Sequence, residues 1–302
     1  MDNIRYATIN SRWFANDLDY FESGSEFKVL SVHKDVINLG SAKYPRMLMV
    51  AVEGPVRGPS TIGLAANDFL NLVSLISEID CFLLEKDRLI ITGSVFEITL
   101  DFSCGERLFF KLDDQNKENY FETVENYLLY IEILRSWPSP GASAALLNLP
   151  GGEEYFRNKL KTNYPYLVQS LLKADDEEFL NRCRKIIGMG RGLTPTGDDL
   201  IHGALITLRY FRPSYTLKQK TVEELRILFA KTTKYGSHMI ETGIQSLSVQ
   251  PVLDFLKCFT GLNECREALP RLLKIGSSTG FDLAVAILYM ARAIENKSFL
   301  YR

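Results

Sequence analysis

The sequence predicts an α+β fold: a β-rich N-terminal region over residues 1–136, then a mainly α-helical C-terminal domain over 137–302 that carries the glycine-rich motifs. Three observations support this. Before Trp137 the apolar residues alternate or cluster in short branched runs, the signature of strands. After it, nearly every segment repeats its apolar residues at helical spacing. Between the two, Trp137-Pro138-Ser139-Pro140-Gly141 gathers residues that end regular structure.

Taken in chain order, residues 11–21 read as a short helix interrupting the β-rich region. Residues 27–32, 36–39, 47–52 and 89–92 are rich in branched side chains and bounded by glycines, so they read as strands. Residues 67–77 fit a helix or a buried strand equally well. Phe96-Glu97-Ile98-Thr99-Leu100-Asp101-Phe102 alternates strictly. With the Ser103-Cys104-Gly105-Glu106 turn and residues 108–112 it predicts a hairpin with one wet face. Between 116 and 137, Val124, Leu128 and Ile131 share one side of a helix joining the two halves. Further on, Leu225, Leu228, Phe229 and Thr232 fit one helical stripe and Ile240, Ile244 and Leu247 another, with Gly236 between them.

With 46% apolar residues in 302, the chain can bury one large core or two ordinary ones. Its net charge of −2 offers no broad attraction for nucleic acid or an anionic membrane surface, so small molecules or proteins are the expected partners. No apolar run approaches the length of a membrane span, and Met1-Asp2-Asn3-Ile4-Arg5 opens no secretory signal, so a cytoplasmic location is expected. Five cysteines without a CxxC pair, and three histidines without HExxH spacing, argue against a disulfide framework and a zinc site.

The chemistry concentrates in Gly188-Met189-Gly190-Arg191-Gly192-Leu193-Thr194-Pro195-Thr196-Gly197-Asp198-Asp199. Behind it, Ile201, Leu205 and Leu208 give a helix one buried face, so the helix starts near Thr196. Thr196 and Asp199 have the spacing of a capping box, which uses two residues and leaves the glycines, Arg191 and Asp198 for a ligand. A second copy stands at Gly276-Ser277-Ser278-Thr279-Gly280-Phe281-Asp282, where Thr, Gly and Asp fall in register with the first. There Asp282 is the cap equivalent and Ser278 the freer side chain. If both helix starts face one cavity, backbone amides and acids converge on it. His202, one turn beyond Asp198, reads as a surface or core-edge residue. Residues 231–238, holding hydroxyls, two lysines and a histidine, could line the same cavity, with a solvated helix face the stronger reading.

Familiar nucleotide signatures do not fit. Leu193 stands where G-x-G-x-x-G needs its third glycine, no Gly-Lys-Ser/Thr precedes the helix, and no G-x-S-x-G occurs.

The long glycine block and its shorter copy resemble the AllH-like family, a bacterial domain-of-unknown-function family that includes a subunit of oxamate carbamoyltransferase. Residues 186–290 carry the resemblance. The chain departs from the family pattern at Arg191, where proline or another small residue is common, and at Ser277, where histidine is frequent. The resemblance implies a place in purine nitrogen catabolism, converting oxalurate and phosphate to oxamate and carbamoyl phosphate, with two unlike partner subunits and a small anionic or amide substrate.

That chemistry needs donors for anionic groups, an oxyanion stabiliser and a proton for the departing nitrogen. Gly190, Arg191, Gly192, Thr194, Thr196, Gly197, Ser277, Ser278, Thr279 and Gly280 are the candidate binding residues. Asp198, Asp199 and Asp282 are the candidate catalytic acids. Acids beside bound phosphate repel it unless a cation intervenes, which makes Mg²⁺ the candidate cofactor. A metal-assisted hydrolase or transferase built on those three acids, or a non-catalytic binding subunit, are the competing readings.

Overall fold

The computed structural model describes residues 5–54, 57–112, 124–260 and 265–295. The chain divides into two compact units, Met1–Phe110 and Lys111–Arg302. Strands dominate the first and helices fill the second, the α+β class that the two apolar periods predict. Trp137 to Gly141 lie inside the second unit.

The first unit holds β1 (Arg5–Asn10), β2 (Trp13–Ala15), β3 (Ser25–Val32), β4 (Val36–Gly40), β5 (Leu48–Val52) and β6 (Thr61–Leu64). Helix α1 (Ala66–Ser74) follows, then β7 (Ile79–Leu84), β8 (Arg88–Gly93), β9 (Phe96–Asp101) and β10 (Glu106–Leu108). They form one sheet in the order β1-β9-β8-β7-β3-β4-β5-β6-β2-β10. The N-terminal segment runs from β1 into β2, pairing in parallel first with β9 and then with β10. Because β2 also pairs with β6 and β9 with β8, the ladder returns on itself in barrel fashion.

The expected hairpin is corrected by this pairing. Residues 102–105 do turn, with the Ser103 amide on the Asp101 carboxylate at 2.9 Å. The Ser11 amide nevertheless bonds the Asp101 carbonyl, and the Glu106 amide the Arg12 carbonyl, at 2.8 and 3.0 Å. One segment therefore holds both sides of the turn, and the chain continues in its original direction. Alternation fixes which face is buried, here Phe96, Ile98 and Leu100. It does not fix the partner.

The helix expected over 11–21 is also corrected. Trp13 and Ala15 are buried at strand spacing, and only residues Asn16–Tyr20 coil, as a 3-10 turn. Residues 67–77 resolve as most of α1 and the turn after it, with Phe69 and Leu72 inward.

The second unit holds α2 (Val124–Arg135), α3 (Glu154–Lys173), α4 (Asp176–Ile186), α5 (Thr196–Phe211), α6 (Gln219–Ile227), α7 (Lys234–Ile244), α8 (Gln250–Lys257), α9 (Cys265–Leu273) and α10 (Thr279–Glu295). Part of the joining helix expected over 116–137 lies outside the described residues. Among the described residues no helix is long and apolar enough to cross a membrane.

Helices α5 and α10 form the centre. Each is buried on almost every residue, so the one-sided stripe expected of α5 is corrected to burial all round. They pack on each other more extensively than any other pair of elements. Gly203 makes this possible, since a Cβ there would overlap that of Ala286. His202 belongs to the same core. Its Nδ1 lies 2.7 Å from the Met239 carbonyl and its Nε2 2.8 Å from Ser248 Oγ. A carbonyl only accepts, so Nδ1 carries the proton and Nε2 accepts from the hydroxyl. Burial lowers its pKa to about 4, leaving a neutral structural histidine rather than a surface one.

Candidate functional site

Helices α5 and α10 start at Thr196 and Thr279, where the repeated Thr-Gly-x-Asp pattern puts them. The repetition extends to the surroundings. A Cβ on Gly197 would overlap the Ile186 carbonyl at the end of α4, and one on Gly280 the Leu272 carbonyl near the end of α9. The Gly197 amide donates to the Met189 carbonyl at 2.8 Å and the Gly280 amide to the Ile275 carbonyl at 2.9 Å. Each glycine thus locks its helix against the preceding one. This corrects their expected role, because both amides face loop carbonyls and neither is left for a ligand.

The two starts lie side by side and exchange side chains. Thr196 Oγ1 donates to Asp282 Oδ2 at 2.8 Å, and the hydroxyls of Thr194 and Thr279 are paired at 2.5 Å. The expected capping box is absent. The residue in the cap position is Pro195, which makes no side-chain cap. Thr196 is already helical, and its hydroxyl serves the neighbouring helix rather than its own.

Three buried carboxylates gather behind these threonines. Asp198 accepts from the Gly188 amide at 2.8 Å and from the Thr232 hydroxyl. Burial pushes its pKa up to about 6 against those two bonds. A Cβ on Gly236, in the first turn of α7, would overlap its carboxylate. Asp282 accepts from Thr196 and Ser143, and Gly141 clears the space around it. Burial raises it as well, to about 6.

Asp199 differs from both. It is 0% exposed and neither of its oxygens accepts a hydrogen bond of sound geometry. Burial, then the charges of Asp282 and Asp198, push its pKa well above the carboxylate range, while the adjacent hydroxyls of Thr279 and Thr194 oppose the rise. The division of labour read from the sequence is therefore reversed: Asp198 is the bonded acid and Asp199 the free one.

The other candidates fall at the rim. Gly190 has φ +124° and lies against the start of α5, where a side chain would overlap the Thr196 amide region. Gly192 faces open space. Arg191 points outward, 83% exposed, in an ion pair with Glu153 at 2.6 Å. Ser277 is exposed, and Ser278 is half-buried with its hydroxyl holding the Asp282 pKa down.

The solvated face expected over 231–238 is corrected in part. Lys231 is exposed, but Thr232 bonds Asp198, Thr233 donates to the Leu193 carbonyl, and Ser237 and His238 are buried. Ser143 and Glu153 are site neighbours that the sequence does not single out, while Thr232 belongs to the polar stretch that could line the cavity. Among the described residues no three His, Cys, Asp or Glu side chains are grouped to hold a metal ion.

These shifts set a pH dependence. Asp198 and Asp282 stabilise the fold fully below their unfolded value near 3.8, and that contribution is lost as pH rises through about 6. Asp199 acts in the same direction. His202 acts oppositely, contributing above 6.5 and losing its contribution as pH falls toward about 4. Three raised acids outweigh one depressed histidine, so the melting temperature should rise as pH falls from 7 to 5. Asp198→Asn and Asp282→Asn should each flatten that slope in circular-dichroism melts, and a transition that falls over this window would contradict the burial of these acids.

Fold and site together define a helical unit built on a doubled Thr-Gly-x-Asp helix start with acids enclosed between the copies. Residues 186–291 match the family model described as oxamate carbamoyltransferase subunit AllH, so that stretch of the chain is similar to the AllH family. Neither a curated protein nor a solved structure matches it.

Proposed function

We propose that this chain is a subunit of an oxamate carbamoyltransferase-like enzyme and that the paired helix starts form its substrate site, working with two unlike partner subunits. The observation that carries the reading is Asp199, a carboxyl enclosed without a bonded partner. A carboxyl whose protonated form is favoured by burial and by neighbouring charge is suited to be a proton donor. In the reaction, a phosphate oxygen bonds to the carbamoyl carbon of oxalurate as the bond to the amide nitrogen breaks. The departing nitrogen takes the proton of Asp199, and the proton released by the attacking phosphate hydroxyl restores the acid.

Asp198 and Asp282 hold the Thr232 and Thr196 hydroxyls in place at the site. The amides of Gly190 and Gly192 supply donors for anionic groups, joined by Arg191. The Arg191–Glu153 pair is exposed and worth about 0–1 kcal/mol, so a ligand carboxylate competes readily for the guanidinium.

The test is carbamoyl phosphate formation from oxalurate and phosphate, by the chain alone and with candidate partner subunits. Turnover is expected with the partners, and Asp198→Asn or Asp282→Asn should each reduce kcat on the order of tenfold. An assembly that keeps its full rate with all three aspartates replaced would make this chain a non-catalytic subunit.

A further inference from the structure

The two copies of the helix start are not equivalent in their threonine–aspartate contacts. In one, Thr196 donates to Asp282 at 2.8 Å. In the other, the Thr279 and Thr194 hydroxyls both lie beside Asp199, but they are paired with each other at 2.5 Å, and neither Asp199 oxygen has a hydrogen bond of sound geometry. Burial falls off along these three residues. Asp199 has no exposed surface, Thr279 and Thr194 are half-buried, and Leu193, next to Thr194 on the glycine loop, is exposed. A ligand at the loop therefore meets the threonine hydroxyls before it can meet the acid.

We propose that Thr279 and Thr194 form a hydroxyl relay that moves the proton between enclosed Asp199 and a ligand seated at the glycine loop. This rests on the reading of the paired helix starts as a carbamoyl-transfer site. In the relay, the Asp199 O–H bond breaks and its proton goes to Thr279 Oγ1. The proton Thr279 held goes to Thr194 Oγ1, and the proton Thr194 held goes to the departing nitrogen. Asp199 is left as a carboxylate and both hydroxyls are intact. The proton released by the attacking phosphate then travels the same path inward.

A hydroxyl both donates and accepts, which such a chain requires at each link. The relay requires the Thr279 hydroxyl, now paired with Thr194, to turn toward the adjacent Asp199. Thr196 has no such freedom, since its bond to Asp282 is already made. In this arrangement Thr194 meets the ligand, and Thr279 acts through its neighbours as a positioning residue.

The test compares T279V, T279S and T194V in the full chain assembled with its partners. T279V, which keeps the shape and loses the hydroxyl, should lower kcat about 10²-fold with KM unchanged. T279S should recover the rate to within a few-fold. An independent reading needs no turnover: the infrared carbonyl band of protonated Asp199, assigned by its loss in Asp199→Asn, should shift rapidly on transfer to D₂O and at least tenfold more slowly in T279V. Should T279V fail to give a cooperative melt, T194V carries the same expectation.

Exchange in T279V and T194V as fast as in the unaltered protein overturns the relay, as does the lack of an Asp199 acid band near neutral pH. Absence of turnover in the unaltered assembly, with slowed exchange in the variants, overturns the carbamoyl-transfer reading and leaves the relay standing.

Discussion

Asp199→Leu should stop turnover and at the same time raise the melting temperature. Leucine has the same branched outline as aspartate, so it fills the space without the polar atoms. A buried polar group without a partner costs about 1–3 kcal/mol, and replacing it with an apolar group of similar shape removes that cost. For a unit of this size each kcal/mol is worth roughly 2–4 °C, so a gain of several degrees is expected. The loss of a proton donor should lower kcat by at least about 10²-fold. Asp199→Asn keeps the outline and can still donate a hydrogen bond, but has no proton to give up, and should be equally inactive. Melts and the carbamoyl phosphate assay on the same preparations check both halves. A fall in melting temperature would mean that Asp199 serves its own helix as a cap, the role its spacing from Thr196 suggests and the structure lacks.

Gly197→Ala and Gly280→Ala should each destabilise the helical unit by about 3 kcal/mol or more. In an ordinary helix interior the same change is stabilising by roughly 0.5–1 kcal/mol. The sign reverses here because the added methyl would overlap a backbone carbonyl, that of Ile186 or Leu272, and a carbonyl at a helix end cannot step aside as a side chain does. Gly192→Ala is the comparison. Its φ of +95° disfavours a side chain, but open space surrounds it, so strain of about 1–2 kcal/mol is the only cost. Denaturant midpoints for the three variants test the ranking, and equal losses at 192 and 197 would remove the argument from close packing.

The contrast between what the sequence reveals here and what it conceals follows from distance along the chain. The helix starts at Thr196 and Thr279 are legible because threonine, glycine and acid act within one turn. The exchange between them is not, since Thr196 and Asp282 are 86 residues apart and the local spacing of Thr196 and Asp199 offers a plausible alternative. Ser143 carries no motif of its own and becomes visible only when the fold sets it on Asp282, whereas Thr232 stands in the polar stretch 231–238 and only its partner, Asp198, is hidden. The same limit produced the hairpin over 96–112. Alternation in β9 reports a buried face faithfully, while the competing partner, β1, lies some ninety residues earlier.

The return of the first unit's ladder on itself has a consequence for solubility. Open sheets risk adding foreign strands along their exposed edges, the first step of many aggregation reactions. In this unit the outer members of the pairing order are β1 and β10, six and three residues long. The N-terminal segment acts as a closing stave, covering β9 and β6 in turn. A strand from another molecule would find only short, broken templates to grow on.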